Sequence, residues 1–146
     1  MKRSSLVLVV VLPPLALGSA PRLARAQASA GLPGTYTLVT INGHALPYAP
    51  VDPDRPANAP PAPTVVGGTF VVGPDSTFRM SMTYRVPSGD TGRVVQGEFH
   101  GTYARQGADW NFTWTGAGQT PVTLLGDTLT LNNVGMLFAY VRQPQR

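Results

Sequence analysis

The sequence predicts an all-β fold: a single antiparallel meander barrel of about eight strands, preceded by an N-terminal signal helix. Apolar and polar residues alternate strictly along Thr77–Val86, and short stretches rich in Gly, Pro, Asn and Asp separate successive extended segments. No stretch beyond the leader repeats its apolar residues with the period of a helix. A β-sandwich is the alternative, because alternation identifies the apolar face but not whether the sheet closes on itself.

Residues 1–26 have the organisation of a secretory signal peptide. Lys2 and Arg3 precede an apolar run of 12 residues, Leu6–Leu17, and small residues alternate in Ala24-Arg25-Ala26-Gln27-Ala28. A helix needs about 20 apolar residues to span a bilayer, so an uncleaved anchor is the weaker interpretation. We expect cleavage after Ala26 or Ala28, and a periplasmic or extracellular domain, residues 27–146, with no transmembrane span.

The composition of that domain excludes several function classes. It has no cysteine, so disulfides, thiolate chemistry and lipid attachment to cysteine are excluded. Four of the eleven basic residues belong to the leader, which leaves seven arginines against seven acidic residues. The net charge of +4 therefore belongs to the precursor, and we expect no nucleic-acid partner.

Strands are predicted where segments rich in residues that favour β-structure are bounded by turn residues. They are predicted at Thr35–Ile41, His44–Leu46, Thr64–Val72, Thr77–Val86, Arg93–Gln106, Trp110–Thr115, Val122–Leu125, Thr128–Asn132 and Met136–Arg142. Asn42-Gly43 and Gly126-Asp127 suit tight hairpins, because such pairs adopt positive φ readily. Gly97 and Gly101 interrupt the longest strand, where glycine marks a bend or a close approach of backbone.

One long loop interrupts this regular pattern. Seven prolines occur among the seventeen residues 47–63, which removes backbone donors and fixes φ. We interpret the segment as a surface loop, of the kind that is usually either a functional lid or disordered.

The apolar face of the strands supplies the candidate lining of the barrel. These candidate ligand-binding residues are Tyr36, Leu38, Phe78, Met80, Met82, Tyr84, Phe99, Tyr103, Trp110, Phe112 and Trp114. Most are bulky, which favours an interior filled by side chains, although a barrel of about eight strands can also hold one small ligand. Methionines would adapt to varied ligands.

Several motifs resemble those of small bacterial lipocalin-like secreted domains. They are Gly34-Thr35-Tyr36-Thr37-Leu38, the turn Asn42-Gly43, Gly68-x-Phe70, Phe78, Gly101-x-Tyr103, Leu129-x-Leu131 and Arg142. In lipocalins an arginine from a late strand packs over the tryptophan of a Gly-x-Trp motif. The resemblance matches Gly34 and Tyr36 to that motif and Arg142 to the arginine, with tyrosine in place of tryptophan. It implies a calyx-like barrel able to hold a small apolar molecule.

The search for catalytic motifs gives none, and we expect no enzyme activity, no cofactor and no metal. Glu98 and His100 lie two residues apart and share one face of a strand, so they could offer two metal ligands or an acid and a base. A solvated outer face is the favoured interpretation of this pair, because a site needs further convergent groups.

The final strand differs from the others because Met136–Val141 is apolar on both faces. Its second face needs a cover, which either the proline-rich loop or a protein partner would provide. The leading expectation is therefore an exported envelope module that binds a small apolar ligand or lipid. A structural or protein-interaction module without a ligand is the alternative.

Overall fold

The computed structural model describes residues 31–88 and 92–144, so the predicted signal helix and its cleavage site lie outside the described residues. No helix in these two ranges is long and apolar enough to cross a membrane. Their strands are β1 (Gly34–Ile41), β2 (His44–Ala45), β3 (Thr64–Val72), β4 (Thr77–Val86), β5 (Arg93–Gln106), β6 (Asp109–Trp114), β7 (Gln119–Leu125), β8 (Thr128–Asn133) and β9 (Met136–Arg142).

The sheet closes on itself as an eight-stranded antiparallel barrel. Strands β3 to β9 pair in chain order, and β9 pairs back with β1, with Leu38 opposite Tyr140. The two-residue strand β2 only extends the hairpin that begins at the end of β1. The predicted meander barrel is therefore confirmed, and the sandwich alternative is wrong because β1 and β9 share a hydrogen-bonded edge.

Strand β7 begins earlier than the sequence predicts. The structure starts it at Gln119, which pairs with Thr113, whereas the apolar pattern places its start at Val122. Gly116 and Gly118 both have positive φ and form a tight turn directly after β6. The pairing begins immediately after that turn, and Pro121 lies within the strand without ending it.

Strand β4 shows why the chain folds this way. Phe78 and Met82 are each 3% exposed on its inner face, while Arg79 between them is exposed to solvent. Because side chains alternate between the two faces of a strand, this order allows only one face of β4 to meet the core. Burial of the inner side chains from all eight strands provides the main stabilisation of the fold.

Aromatic rings fill the middle of the barrel. The ring centre of Phe78 lies 4.8 Å from that of Phe112 and 4.8 Å from that of Trp114. Phe70 continues the cluster, with its ring centre 5.5 Å from that of Tyr140. Rings at these separations add attraction beyond the area they bury, so this part of the interior is a packed core.

Gly101 permits a close approach of β5 to β6, which is one of the two alternatives that the sequence predicts for glycine in this strand. A Cβ atom at this position would overlap the carbonyl oxygen of Thr113 and would lie 2.8 Å from Cζ of Phe78. Glycine is needed here because the obstructing group is backbone, which cannot move aside as a flexible side chain can.

The segment before β1 closes one end of the barrel, which we call the arginine end, defined by Leu32, Tyr36 and Arg142. The hydroxyl of Tyr36 donates a hydrogen bond of 2.6 Å to the carbonyl oxygen of Leu32. The guanidinium carbon of Arg142 lies 4.7 Å from the centre of the Tyr36 ring. Leu32 is only 1% exposed, so it seals this end of the core.

The proline-rich loop lies at the opposite end, which we call the proline end, defined by residues 46–63. Tyr48 and Val65 exchange two backbone hydrogen bonds of 2.8 and 2.7 Å, which fasten the start of the loop to β3. At the same end, the Oδ1 atom of Asn42 accepts a bond of 2.8 Å from the backbone N–H of Leu137. These bonds join the loop and the β1 turn to the barrel rim.

Candidate functional site

A cavity of about 350 Å3 opens at the proline end of the barrel. It lies between the aromatic core and the proline-rich loop, and its lining comes from five strands and loop segments of the chain. The lining residues are Ile41, Tyr48, Pro50, Pro63, Val65, Met82, Tyr84, Val86, Val95, Met136 and Phe138. Ligand pockets commonly measure about 300–1,000 Å3, so the volume suits one small molecule.

The alternation of side chains along β4 and β9 determines which residues form the walls of the cavity. Met82, Tyr84 and Val86 are successive inner residues of β4, and Met136 and Phe138 are successive inner residues of β9. Because residues two apart project from one face of a strand, each strand contributes a continuous apolar stripe. The two methionines give the walls flexible thioether side chains that fit irregular ligand shapes.

The proline-rich loop provides the third side of the cavity through Tyr48, Pro50 and Pro63. The Tyr48 ring stacks on His44, with ring centres 6.0 Å apart and an interplanar angle of 21°. The amide nitrogen of Asn42 donates a bond of 3.2 Å to the Tyr48 hydroxyl. These contacts hold the Tyr48 ring at the mouth of the cavity, so the loop borders the site as part of a fixed rim.

The cavity is apolar and carries no formal charge. None of its lining residues is acidic or basic, and its side-chain oxygens are the hydroxyls of Tyr48 and Tyr84. Burial raises the pKa of Tyr84, so its hydroxyl stays protonated and neutral at ordinary pH. An ion placed here would lose its hydration without gaining a partner, so the chemistry of the lining selects an uncharged apolar group.

The predicted lining residues occupy two different environments. Met82 and Tyr84 border the cavity, and Met82 is at the same time part of the buried core. Tyr36, Leu38, Phe78, Tyr103 and Phe112 are buried in the core, and Met80, Trp110 and Trp114 are partly buried against it. Phe99 alone among the predicted set is exposed, at 43%.

Phe99 is exposed although its position in the strand belongs to the inner face. Its neighbour β6 pairs with β5 only from Gly101 onward, so no strand of the described residues lies beside Phe99 on that side. Periodicity identified the face correctly but could not show where the neighbouring strand ends.

Several residues that border the cavity are not among the predicted lining residues. Met136 and Phe138 belong to the strand whose two apolar faces the sequence reveals, and their inner face is the one that borders the cavity. Tyr48, Pro50 and Pro63 lie in the segment predicted as a loop, for which a lid was one of the two interpretations. Ile41 and Val65 are ordinary apolar strand residues, so nothing in the local sequence distinguishes them from core residues.

The outer face of β9 is only partly covered. Leu137 is 45% exposed and Val141 39% exposed, with Asn132 and Thr128 of β8 as their cross-strand neighbours. The proline-rich loop borders the cavity mouth at Tyr48 and Pro50, and it leaves this outer face open to solvent.

Glu98 and His100 are both exposed on the outer face of β5. Arg79 is the cross-strand neighbour of His100, and Ser81 is that of Glu98. In the described part of the chain, no three acidic or histidine side chains gather as a metal ion would require. An outer groove of about 600 Å3 runs past Arg79 and His100 over Gly101, and four threonines are among its lining residues.

Comparison of the chain with family models, with curated proteins and with solved structures gives no match in any of the three.

Proposed function

We propose that this protein is an exported cell-envelope module that binds a small, uncharged apolar molecule or the apolar part of a lipid. The observation that carries the proposal is the apolar cavity of about 350 Å3 bordered by Met82, Tyr84, Met136 and Phe138. Export is inferred from the signal-peptide organisation of residues 1–26.

The size of the cavity bounds the ligand. At about 30 Å3 for each water in the liquid, 350 Å3 corresponds to roughly a dozen water volumes. A small ring compound or a short acyl chain suits this volume. A larger lipid would leave its remaining part outside the mouth of the cavity.

The asymmetry of the interior supports one site at one end. The arginine end is sealed by Leu32 at 1% exposure, and the middle is filled by rings such as Phe70 and Phe112, both 0% exposed. In the described part of the barrel, side chains therefore fill the arginine end and the middle, and the cavity lies below the proline-rich loop. Apolar pockets with few polar groups are the usual form of small-molecule sites.

The second candidate is an interaction module without a ligand. The partial exposure of Leu137 and Val141 on the outer face of β9 favours it, because adjacent exposed apolar side chains commonly mark contact surfaces. The two functions differ in what accompanies the purified protein, either a small molecule or another chain.

Native mass spectrometry of the protein purified from its host tests the proposal. We expect a mass increment from a small apolar compound that disappears on denaturation. The matched test uses N-phenyl-1-naphthylamine, an uncharged fluorescent probe, with Val86→Trp to fill the cavity and Val141→Trp on the outer face as control. Probe binding by the wild type and by the control, lost in Val86→Trp, supports the proposal. Absence of both a bound compound and probe binding would overturn it.

A further inference from the structure

The barrel wall has a free edge along the first half of β5. Its residues Arg93–Thr102 pair with the whole length of β4. Its pairing with β6 begins only at Gly101, and β6 turns away after Trp114. In the described residues, therefore, no strand lies beside Arg93–Phe99 on the side away from β4.

The backbone groups that point from this edge can be assigned. The carbonyl oxygen of His100 accepts a bond of 3.0 Å from the N–H of Thr115, so it faces the β6 side. Both backbone groups of every second residue in an antiparallel strand face the same neighbour, and the register of β4 with β5 has no shift. Val94, Gln96 and Glu98 consequently present their N–H and C=O groups outward.

These residues are accessible as well as unpaired among the described strands. Val94 is 62% exposed and Phe99 is 43% exposed, and Gln96 and Glu98 are also exposed. Native proteins usually protect such an edge with charge, proline or a bulge, because an open edge invites another strand. Here Arg93 and Glu98 are the charged residues of the edge, and Val94 and Phe99 are its exposed apolar side chains.

We propose that the β5 edge, Val94–Glu98, binds an extended peptide segment of a partner protein as an added antiparallel strand. Only an extended peptide backbone matches the spacing of the three outward-facing residues. Each of these residues can exchange two backbone hydrogen bonds with the peptide, which gives about six in total. The residue of the peptide opposite Gly97 meets no side chain there and lies against the exposed ring of Phe99. The edge therefore selects an extended segment with an apolar residue at that position.

The geometry favours a single strand over a second copy of this chain. The space beside the edge, which we call the slot, ends where the N–H of Thr115 donates its bond to the carbonyl oxygen of His100. The turn that contains Gly116 and Gly118 follows directly after Thr115. A second copy that docked through its β5 edge would also bring its own β4, and that strand would enter the space next to the turn. A single peptide strand occupies only the slot itself.

Selection from a phage-displayed library of random linear peptides against the folded protein supplies the probe, and the best sequence is then synthesised. We expect alternating apolar residues and a dissociation constant that titration calorimetry can measure. Gln96→Pro removes one outward N–H and should weaken binding about tenfold or more. Gln96→Thr changes the side chain but keeps the N–H, and it should bind as the wild type does. Circular dichroism verifies that both variants fold.

Backbone methylation of the peptide gives an independent test. The peptide is N-methylated at alternate residues in either of two frames, and we expect one frame to abolish binding and the other to preserve it. Hydrogen exchange should show the amides of Val94, Gln96 and Glu98 unprotected in the free protein and protected in the complex. Equal binding by both frames, equal binding by Gln96→Pro, or a dimer in sedimentation that already protects these amides would overturn the proposal.

Discussion

The guanidinium group of Arg142 lies over the Tyr36 ring, with its central carbon 4.7 Å from the ring centre. The same group donates bonds of 2.6 Å to the carbonyl oxygens of Pro33 and Gly31. Its Nε lies 3.4 Å from Oδ1 of Asp127, an ion-pair distance without a hydrogen bond. One side chain of the last strand thus holds the segment before the first strand and closes the arginine end.

Replacing Arg142 with alanine should destabilise the barrel. The Arg142 side chain is 11% exposed, and the variant loses two charge-assisted hydrogen bonds and a cation–π contact. We expect the free energy of unfolding to fall by about 2–4 kcal/mol. Urea denaturation measures it, with Arg79→Ala on the outer face as the control, which should change it by less than about 0.5 kcal/mol. Equal effects of the two variants would contradict the role given to Arg142.

Gly34→Ala should act through Arg142. A Cβ atom at Gly34 would overlap Nη1 of Arg142 and would lie 3.3 Å from its guanidinium carbon, so the stacked arginine has to move. We expect a loss of about 1–3 kcal/mol in the wild type and a smaller loss in the Arg142→Ala background, where only the strain of alanine at the φ of 158° remains. A double-mutant cycle measures this difference. Additive losses would show that Gly34 matters for another reason.

Gly101→Ala should be more damaging than Gly97→Ala. The added Cβ at Gly101 meets the backbone oxygen of Thr113, whereas at Gly97 it meets only ring atoms of Phe99 at 3.3 Å and Tyr84 at 3.5 Å. We expect Gly101→Ala to lose about 3 kcal/mol or more, or to fail to fold, and Gly97→Ala to lose about 1 kcal/mol. Thermal unfolding followed by circular dichroism ranks them. The reverse order would contradict the close approach of β5 and β6.

Stability should decline in alkali because of the buried tyrosines. Burial raises the pKa of Tyr140 strongly and the pKa of Tyr36 less, despite the opposing effect of Arg142 on Tyr36. Above the ordinary tyrosine pKa of about 10 the unfolded chain binds fewer protons than the folded one, so the free energy of unfolding falls as pH rises. Urea unfolding across this range measures the slope, and Tyr140→Phe should make it shallower. An unchanged slope in Tyr140→Phe would contradict the assignment.

Much of the fold follows from local pattern. The alternation of apolar and polar residues in β4 requires one buried face and one solvent-exposed face. Turn residues such as Asn42-Gly43 limit the connections between neighbouring strands to hairpins. Glycine inside a strand predicts a bend or a close approach of backbone at Gly101, and the structure shows the close approach.

The position of the cavity does not follow from local pattern. It depends on how far each strand extends beyond its neighbours, which the shear of the closed barrel determines. Met80 and Met82 are equivalent in the sequence pattern, yet only Met82 borders the cavity. The free edge of β5 escapes prediction for the same reason, because β6 ends its pairing halfway along a longer strand.

The three methionines beyond the leader give the most direct test of the cavity as a ligand site. Met82 and Met136 border it and Met80 does not, although the sulfurs of Met80 and Met82 lie 3.3 and 3.6 Å from the same Tyr140 hydroxyl. Methionine-methyl NMR during titration with N-phenyl-1-naphthylamine reports on all of them at once. We predict saturable shifts of the Met82 and Met136 methyl signals and a nearly unchanged Met80 signal. No saturable shift, or a shift confined to Met80, would contradict a ligand site at the proline end.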